Sequence, residues 1–485
     1  MTKWLLSMSP MTRQCIAIFG VSLGMISSSQ VQSFTSVMLP QLRLVQDIDD
    51  DTASWIATIN GISFLIGVTV TPSLMTRYGR RTVNLLRSII STIGWGALVL
   101  TSDVYAILLI RFIQGFSLGL AGILVPVLIG EYSSPKYRGA FLTTMSLSIS
   151  LGVLTIHSIG TFCSWQTAAA FCCGVALFNT FITLISPESP TYLASCGKYD
   201  ECRESFHWLR FPEEEDELEK MILKYMSESQ GKIKMKLITR IKNKINDFFV
   251  MWKRKEFYKP VIIILHLHII NEWSFGTVID AYTTTIYHSL VGAEVNISLM
   301  MISSDILRAV SGLCAVIVIG KCRRRPMLLL TISSNILSFA IMIVYSYMKT
   351  HYLLKYDHPL IGMFLIHFHV FTFSVGNLTL PNIFAGEIFA YEYRGISNMI
   401  GQMFFCMNYI VSAKTALHML SSMGLHGMLT VYLSLVAYGL IVTWFLVPET
   451  KDKTLQEIEE EFRGKTREQE NTGALDSLLT KVNAG

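Results

Sequence analysis

Glutamate and arginine recur at a fixed spacing in two distant parts of the sequence. Glu131 is followed seven residues later by Arg138, and Glu387 is followed seven residues later by Arg394. A carboxylate and a guanidinium that meet away from water form an ion pair, and separating such a pair costs a few kcal/mol. A cost of that size can bias an equilibrium between two conformations. These residues therefore indicate reversible charge pairing, and the sequence offers no nucleophile–base arrangement that would indicate an enzyme.

Two further charged motifs recur together with the Glu–Arg motif. Basic runs stand at 76–81 ("TRYGRR") and 320–325 ("GKCRRR"), and Pro-Glu-Ser/Thr stands at 187–189 and 448–450. The three kinds of motif recur at spacings of 244, 256 and 261 residues, which is too regular for chance. The sequence therefore predicts two homologous halves fused in parallel.

The repeated charges are predicted to form networks that act as a cytoplasmic gate. The alternative is that the basic loops only hold the orientation of the chain in the membrane. The predicted gate residues are Arg77, Arg80, Arg81, Glu131, Arg138, Glu188, Arg324, Arg325, Glu387, Arg394 and Glu449.

Long apolar blocks supply the elements that must position these charges. Of the 485 residues, 51% are hydrophobic and only 15% are charged, whereas soluble proteins carry about 25% charge. Blocks such as "VYLSLVAYGLIVTWFLV" approach the ~20 residues that cross a bilayer. The sequence predicts an all-α membrane protein with twelve transmembrane helices in two six-helix halves. The spans are predicted to begin near residues 15, 53, 82, 104, 139, 165, 259, 296, 327, 360, 395 and 425.

The distribution of basic residues predicts the orientation of the chain. If the N-terminus lies in the cytoplasm, 34 of the 40 Lys and Arg residues fall on the cytoplasmic side and three fall outside. The remaining three, Arg111, Arg308 and Lys414, lie within spans. The positive-inside rule then places both termini in the cytoplasm. The basic pI is thus a signal of topology, so the expected partners are the lipid bilayer and a small solute, not nucleic acid.

The predicted spans divide the chain into four parts. These are a first half (1–186), a cytoplasmic helical linker (187–258), a second half (259–447) and a cytoplasmic tail (448–485). Many secondary transporters are built from such repeats and bind their substrate near the midplane between them. The nine cysteines show no spacing typical of metal ligands, so neither a metal nor a cofactor is expected.

Charged residues within the predicted spans need partners, because a charge inside the membrane is costly unless it faces protein or water. Asp305 and Arg308 are three residues apart and can neutralise each other on one face of a helix. Glu272 and Asp280 are eight residues apart, roughly on one face of the seventh span. These two carboxylates could bind substrate hydroxyls, or Glu272 could take up a proton.

Four motifs together resemble the sugar porter family of the major facilitator superfamily. They are "RFIQGFSLGL", "VPVLIGEYSSPKYRGA", "PESPTYL" and "VPETKDKTLQEIEEEF", and the resemblance covers nearly the whole chain. The stretch "EYRGISNMIGQ", followed by "IVSAKTAL", is most similar to insect facilitated trehalose transporters. The resemblance implies the twelve-helix major facilitator fold and downhill transport of mono- or disaccharides. It also implies a structural role for Arg111, which matches an arginine of the family's fourth helix.

The positions that contact sugar in this family differ in the present chain. Ser146 stands where the family has Gln, and Asn271 and Glu272 stand where it has a Gln pair. Asn382 and Cys406 replace family Trp residues, which weakens aromatic stacking on a sugar unless Phe384, Phe404 or Tyr409 substitutes. The predicted substrate-binding residues are Gln30, Gln32, Ser146, Asn271, Glu272, Thr277, Asp280, Asn382, Gln402 and Asn408.

Facilitated diffusion is the predicted mode of transport. Proton-driven relatives use a carboxylate in the first helix, whereas the first span here contains no acidic residue. Proton symport through Glu272 or Asp280 stays open, as do transport of another small polar solute and a role as a non-transporting sugar sensor. The expected location is the plasma membrane, and the sequence leaves the oligomeric state undecided.

Overall fold

The chain folds into a bundle of α-helices. The computed structural model describes residues 8–230, 250–274, 276–292, 295–389, 393–451, 453 and 455–463. Over these residues there is no β-strand, and eleven helical stretches are long and apolar enough to cross a membrane. The last helix, Arg394–Leu446, is broken at Gly424, whose φ of +69° suits glycine. The break divides this helix into two spans, so the twelve predicted spans are confirmed.

The first six spans form the first half of the bundle, and polar caps fix the start of several of them. Ser9, Asp49, Asp103 and Ser164 each precede a helix and accept a hydrogen bond from a backbone N–H in its first turn. Each cap satisfies a donor that helix geometry leaves unpaired. The helices are α1 (Pro10–Arg43), α2 (Asp50–Tyr78), α3 (Arg80–Leu100), α4 (Val104–Tyr132), α5 (Pro135–Phe162) and α6 (Trp165–Ile185).

Glycines allow α2 and α4 to pack closely. A Cβ atom on Gly115 would lie 2.0 Å from the carbonyl oxygen of Asn60, and one on Gly119 would lie 2.3 Å from that of Phe64. Both distances are too short for real contacts, so the backbones approach this closely only because these positions lack side chains. The close packing holds α4 where Arg111 can reach the neighbouring helices.

A helical segment follows α6 and packs on itself. It contains α7 (Pro190–Ser195), α8 (Tyr199–Leu209), a short 3-10 turn and α9 (Glu215–Gln230). Phe206 and Leu218 are buried within its small core, and Gln14 of α1 donates a 2.7 Å hydrogen bond to the carbonyl of Leu209. The segment is thereby attached to the first half. The part of the predicted linker at 231–249 lies outside the described residues, as does most of the predicted tail.

The second half repeats the six-span arrangement with two interrupted helices. Its seventh span is divided between two helices, and its tenth span contains a π-helix at Phe373–Asn377. The helices are α10 (Lys255–Trp273), α11 (Gly276–Val291), α12 (Ile297–Lys321), α13 (Arg324–Thr350), α14 (Pro359–Thr372), α15 (Leu380–Glu387), α16 (Arg394–Leu446) and α17 (Leu455–Arg463). The short α17 packs near α10, and its Ile458 and Phe462 are buried.

Candidate functional site

A charge network closes one end of the first half. Arg80 Nη2 lies 3.2 Å from Glu131 Oε1, and Ser189 donates a 2.5 Å hydrogen bond to the other oxygen of Glu131. Glu188 Oε1 accepts the backbone N–H groups of Arg80 and Arg81 at 2.9 and 3.0 Å. The side chain of Arg81 donates to the carbonyl of Leu184 at 2.5 Å. The network therefore joins α3, α4 and the segment after α6.

The second half contains the same network in the equivalent positions. Arg324 Nη2 lies 3.6 Å from Glu387 Oε1, and Thr450 donates a 2.5 Å hydrogen bond to the other oxygen of Glu387. Glu449 accepts the backbone N–H groups of Arg324 and Arg325 at 2.9 and 3.2 Å. Each residue thus plays the part that its repeat partner plays in the first half. We call the end of the bundle that carries these two networks the basic end.

Hydrogen bonds from backbone N–H groups stabilise the networks in addition to the ion pairs. Partial burial raises the pKa of Glu449, but the backbone N–H groups of Lys451, Arg324 and Arg325 outweigh burial, and the pKa lies below its ordinary value. A carboxylate that accepts several backbone donors is stabilised in its charged form. Glu449 is therefore ionised at neutral pH and fixes the start of α13.

Two predicted gate residues, Arg138 and Arg77, form no ion pair with the network glutamates among the described residues. Arg138 is half-buried, with its Nε without a hydrogen-bond partner among the described residues, while Glu131 contacts Arg80 instead. Arg77 is exposed, and its guanidinium lies 5.2 Å from the ring centre of Tyr78. The side chain of Arg394 lies outside what the structure describes.

Several predicted substrate residues meet where the seventh span is interrupted. Asn271 Nδ2 donates to the carbonyl of Asn377 at 3.0 Å, and Asn377 Nδ2 donates to Ser274 Oγ at 2.8 Å. Glu272 is fully buried and accepts a 2.5 Å hydrogen bond from Ser412. Amide and carboxylate groups thus converge between α10, the π-helix and the first part of α16.

Asn408 belongs to the same region, whereas Asp280 does not. Asn408 Oδ1 accepts a 2.9 Å hydrogen bond from Trp273 Nε1. Asp280 instead forms an ion pair with Arg308, with 2.6 Å between Oδ1 and Nη1. The expectation that Glu272 and Asp280 share one helix face is wrong, because the interruption between α10 and α11 separates them.

The other predicted substrate residues are distributed over both halves. Gln30 is fully buried, and its Nε2 donates to Thr155 at 3.0 Å while its Oε1 has no hydrogen-bond partner among the described residues. Gln32 and Ser146 are half-buried. Gln402 Oε1 lies 3.6 Å from where a Cβ atom of Gly122 would stand, so it reaches across to the first half. The side chains of Thr277 and Asn382 lie outside what the structure describes.

Tyr409 joins the two halves. Its hydroxyl donates toward the carbonyl of Ala57 and Asn60 Oδ1, both at 3.1 Å. Cys406 Sγ lies 3.0 Å from the carbonyl oxygen of Gly61. Tyr409 is thus occupied by contacts between α2 and α16, and Phe384 is fully buried in the core. In this conformation neither of these two rings is free to take the place of the family Trp residues.

Two buried arginines tie the first half together. Arg111 donates to the carbonyl of Val31 at 2.6 Å and to Thr35 Oγ1 at 2.9 Å, which fits the structural role that the resemblance implies. Arg87 is equally buried and donates to the carbonyl of Gly24 at 3.0 Å. Sequence reasoning missed Arg87 because its position near the start of a span is also typical of a residue facing the cytoplasm.

The expected pairing of Asp305 with Arg308 is wrong. Arg308 pairs with Asp280 of α11, and Asp305 Oδ2 lies 2.6 Å from Nδ1 of His157 on α5. Helical spacing places Asp305 and Arg308 on one side of α12, but each side chain turns to a different neighbouring helix. His157 was missed because a lone histidine in a span carries no local signal of its partner.

A further ion pair joins the halves at the end away from the basic end, which we call the opposite end. Lys414 Nζ lies 2.7 Å from Asp51 Oδ1 and 2.7 Å from Ser54 Oγ, and 4.2 Å from the ring centre of Trp55. Contacts between the halves thus extend from the middle of the bundle to the opposite end, while each basic-end network lies within one half. A pocket of about 280 Å³ between α1 and α11 is also near the opposite end.

Known proteins share both the sequence pattern and the fold. A family model described as "Sugar (and other) transporter" matches residues 11–462. The facilitated trehalose transporter Tret1 of Apis mellifera ligustica is 27% identical, covering 97% of this chain and 92% of its own. Tret1 of Bombyx mori is 24% identical, covering 94% and 88%. Among solved structures, the fold is similar to that of the major facilitator superfamily proton:xylose symporter XylE bound to 6-bromo-6-deoxy-D-glucose. The two structures align with a TM-score of 0.70 at 18% sequence identity, and the alignment covers 92% of this chain and 99% of that chain.

Proposed function

Because this chain belongs to the family of sugar (and other) transporters, we propose that it carries trehalose or a hexose down its concentration gradient by alternating access. The observation that carries the proposal is the cluster of amide and carboxylate groups at the interruption of the seventh span, where Asn271, Glu272 and Asn408 come together. Such groups suit the hydroxyls of a sugar, since each can donate or accept a hydrogen bond. The two similar trehalose transporters support trehalose as the first solute to test.

The proposed orientation places the basic end in the cytoplasm and the protein in the plasma membrane. The distribution of Lys and Arg supports this orientation. With the basic end inside, the contacts between halves lie toward the outer end of the bundle. The conformation then corresponds to an inward-facing state, in which a solute would exchange with the cytoplasm.

The basic-end networks are proposed to act as a gate because they set the positions of the helix ends within each half. Arg80 and Arg324 are each held by a carboxylate and a capping glutamate of their own half. Because each network fixes the helix ends of its own half relative to one another, each half can rotate around the substrate as a rigid body. The two ends would pack against each other when the outer side opens.

Uptake by purified protein in proteoliposomes tests the transport proposal. We expect saturable uptake of labelled trehalose or glucose that a proton gradient neither accelerates nor drives to accumulation against the sugar gradient. A folded protein that takes up neither sugar would contradict the proposal and favour another polar solute. An uptake rate that rises with the gradient would instead favour proton symport, with the buried Glu272 as the proton carrier.

Gln30 offers a matched test of the binding site. Its unpartnered Oε1 suggests that Gln30 holds a solute hydroxyl, so Gln30→Ala should raise the half-saturating sugar concentration about 2- to 10-fold, as expected for one lost hydrogen bond of about 0.5–1.5 kcal/mol. Gln41→Ala is the control, because Gln41 donates to the carbonyls of Gly160 and Cys163 near the opposite end. Equal effects of the two substitutions would argue against a direct contact.

A further inference from the structure

Four ionisable side chains meet in the interior between the two halves. His157 of α5 belongs to the first half, and Asp305, Arg308 and Asp280 belong to the second. Their exposed fractions are 1%, 3%, 3% and 7%. His157 Nδ1 lies 2.6 Å from Asp305, and Arg308 lies 2.6 Å from Asp280. Neither the transport cycle nor the basic-end networks described above make use of this group.

The hydrogen bonds of His157 fit a ring that carries a proton on both nitrogens. Ser36 Oγ lies 2.6 Å from the carbonyl oxygen of Ser33 and 2.8 Å from His157 Nε2, and a hydroxyl has one hydrogen to give. When Nε2 carries a proton, Ser36 accepts from it and donates to Ser33, so both contacts are hydrogen bonds. On the other side of the ring, Nδ1 lies 2.6 Å from the Asp305 carboxylate, which accepts from a protonated Nδ1.

The charge balance of the group requires one proton more than a neutral His157 and two ionised carboxylates carry. With a neutral His157, two carboxylates and one guanidinium would leave one uncompensated negative charge in the interior. A buried charge without a partner is strongly unfavourable. With a protonated His157, the four side chains sum to zero, so the packed arrangement holds one proton.

We propose that His157 and Asp305 form a proton-binding site that is filled when the outer ends of the two halves are together and is vacated when they part. The inference depends on the proposed alternating-access function. When the halves part, Asp280 and Arg308 stay together on the second half, whereas His157 leaves with the first half. A histidine that meets water releases its proton above about pH 6.5. Acid outside the cell therefore favours the closed outer side.

The other groups around His157 do not replace it in this role. From α1 it faces Ser36, with Arg43 at the end of the same helix paired to Asp50. From α11 the group includes Tyr287 beside Asp280, and α4 carries Arg111, which is bonded to α1, and Glu131, which lies at the basic end. α6 carries no acidic, basic or histidine side chain between Trp165 and Ile185.

A pocket at the opposite end gives the proton a route to His157. Ser36 is one of the residues that line the pocket of about 280 Å³ between α1 and α11, together with Arg43 and His288. Its hydroxyl links that pocket to His157 Nε2. A proton that enters and leaves by the same side does no transport work, so the site regulates the outer gate and does not drive symport.

Distance measurements on the full-length protein in lipid nanodiscs test the site without any sugar. Spin labels on ketone-bearing amino acids at the exposed Phe162 of α5 and Leu299 of α12 report the separation of the outer ends and leave the nine cysteines unlabelled. We expect the closed-to-open ratio to fall by up to tenfold per pH unit above about pH 6.5, as linkage to one proton requires. His157→Gln keeps both hydrogen-bonding ends but cannot bind the proton, so its ratio should not change with pH.

Two further variants make the result decisive. Asp305→Asn removes the negative charge that His157 balances, so it too should flatten the pH dependence. His288→Gln removes the other histidine of the pocket and should leave the wild-type dependence unchanged. If His157→Gln keeps the wild-type dependence, or if His288→Gln abolishes it, the proposal is wrong.

Transport separates this inference from the proposed function. In proteoliposomes with the outer side facing the medium, we expect acidification of the medium to slow sugar uptake, and acidification of the lumen to leave it unchanged. Failure to transport either sugar would refute the proposed substrate but would not alter the distance result. Sugar accumulation against its gradient, driven by protons and lost in His157→Gln, would contradict a purely regulatory site.

Discussion

Replacing Lys414 by methionine tests whether the contacts at the opposite end hold that end closed. Methionine keeps most of the side-chain length but loses the ion pair with Asp51, the hydrogen bond to Ser54 and the contact with the ring of Trp55. The side chains of Lys414 and Asp51 are 30% and 70% exposed, so water screens the pair. An exposed ion pair contributes about 0.2–1 kcal/mol, and an exposed cation–π contact contributes about 0.5–1 kcal/mol.

Together these interactions favour the conformation in which the opposite end is closed by about 1–2 kcal/mol, which corresponds to a factor of about 5–30 in the ratio of the two states. We therefore expect Lys414→Met to lower the closed-to-open ratio by that factor, measured from the distance between spin labels at Phe162 and Leu299 at a fixed pH. The control is Lys349→Met, because Lys349 binds Asp357 and the carbonyl of Leu290 within the second half. That substitution should leave the ratio unchanged.

A double-mutant cycle with Asp51→Asn separates the ion pair from the other interactions of Lys414. We expect a coupling energy of about 0.2–1 kcal/mol between the two substitutions. The reasoning is refuted if Lys414→Met changes the ratio no more than Lys349→Met does, or if the effects of the two substitutions in the cycle simply add.

Three more predictions concern the framework around the site. Arg111→Met should lower the free energy of unfolding by about 1–3 kcal/mol, because the carbonyl of Val31 loses a buried donor; a melting temperature equal to that of the wild type would contradict this. Glu449 has a pKa held below its ordinary value by backbone donors, so it stabilises the fold above about pH 4.3 and loses this effect as the pH falls through its folded-state pKa. The gap in melting temperature between wild type and Glu449→Gln should therefore narrow in acid, and a constant gap would be evidence against the assignment. Arg138→Ala should slow sugar exchange while surface expression stays normal, and normal exchange by a correctly inserted variant would remove Arg138 from the gate.

The repeated networks were largely predictable because they depend on motifs that are each short in sequence. The spacing of the repeats fixed which residues correspond, and the structure places Arg80 and Arg324 in matching positions. The start of the last span near residue 425 was predictable for a similar reason, since a stretch with polar residues from Lys414 to Ser422 separates two apolar blocks, and the helix breaks just after it at Gly424. A motif whose residues lie close together along the chain can be recognised from the sequence alone.

Pairings between distant helices could not be predicted in the same way. The spacing of Asp305 and Arg308 suits a pair on one helix, but the rotation of α12 in the bundle decides which neighbour each side chain meets. Likewise, residues 272–280 contain no proline, and Gly276 alone is a weak signal of the interruption that separates Glu272 from Asp280. Tertiary packing settles these positions, and helical periodicity alone gives the wrong partner.

Two kinds of interaction divide the molecule into parts that persist and parts that change during transport. The basic-end networks join helices of the same half, so rocking leaves them intact. The pairs Asp51–Lys414 and His157–Asp305, and the hydrogen bonds of Tyr409 to α2, join different halves and must break when the halves part at the opposite end. A facilitator needs both states populated, so the free energy lost at the opposite end must be matched at the basic end within a few kcal/mol. Arg138 is half-buried at the basic end, and its Nε has no hydrogen-bond partner among the described residues. It can therefore gain a partner when the basic ends of the two halves meet.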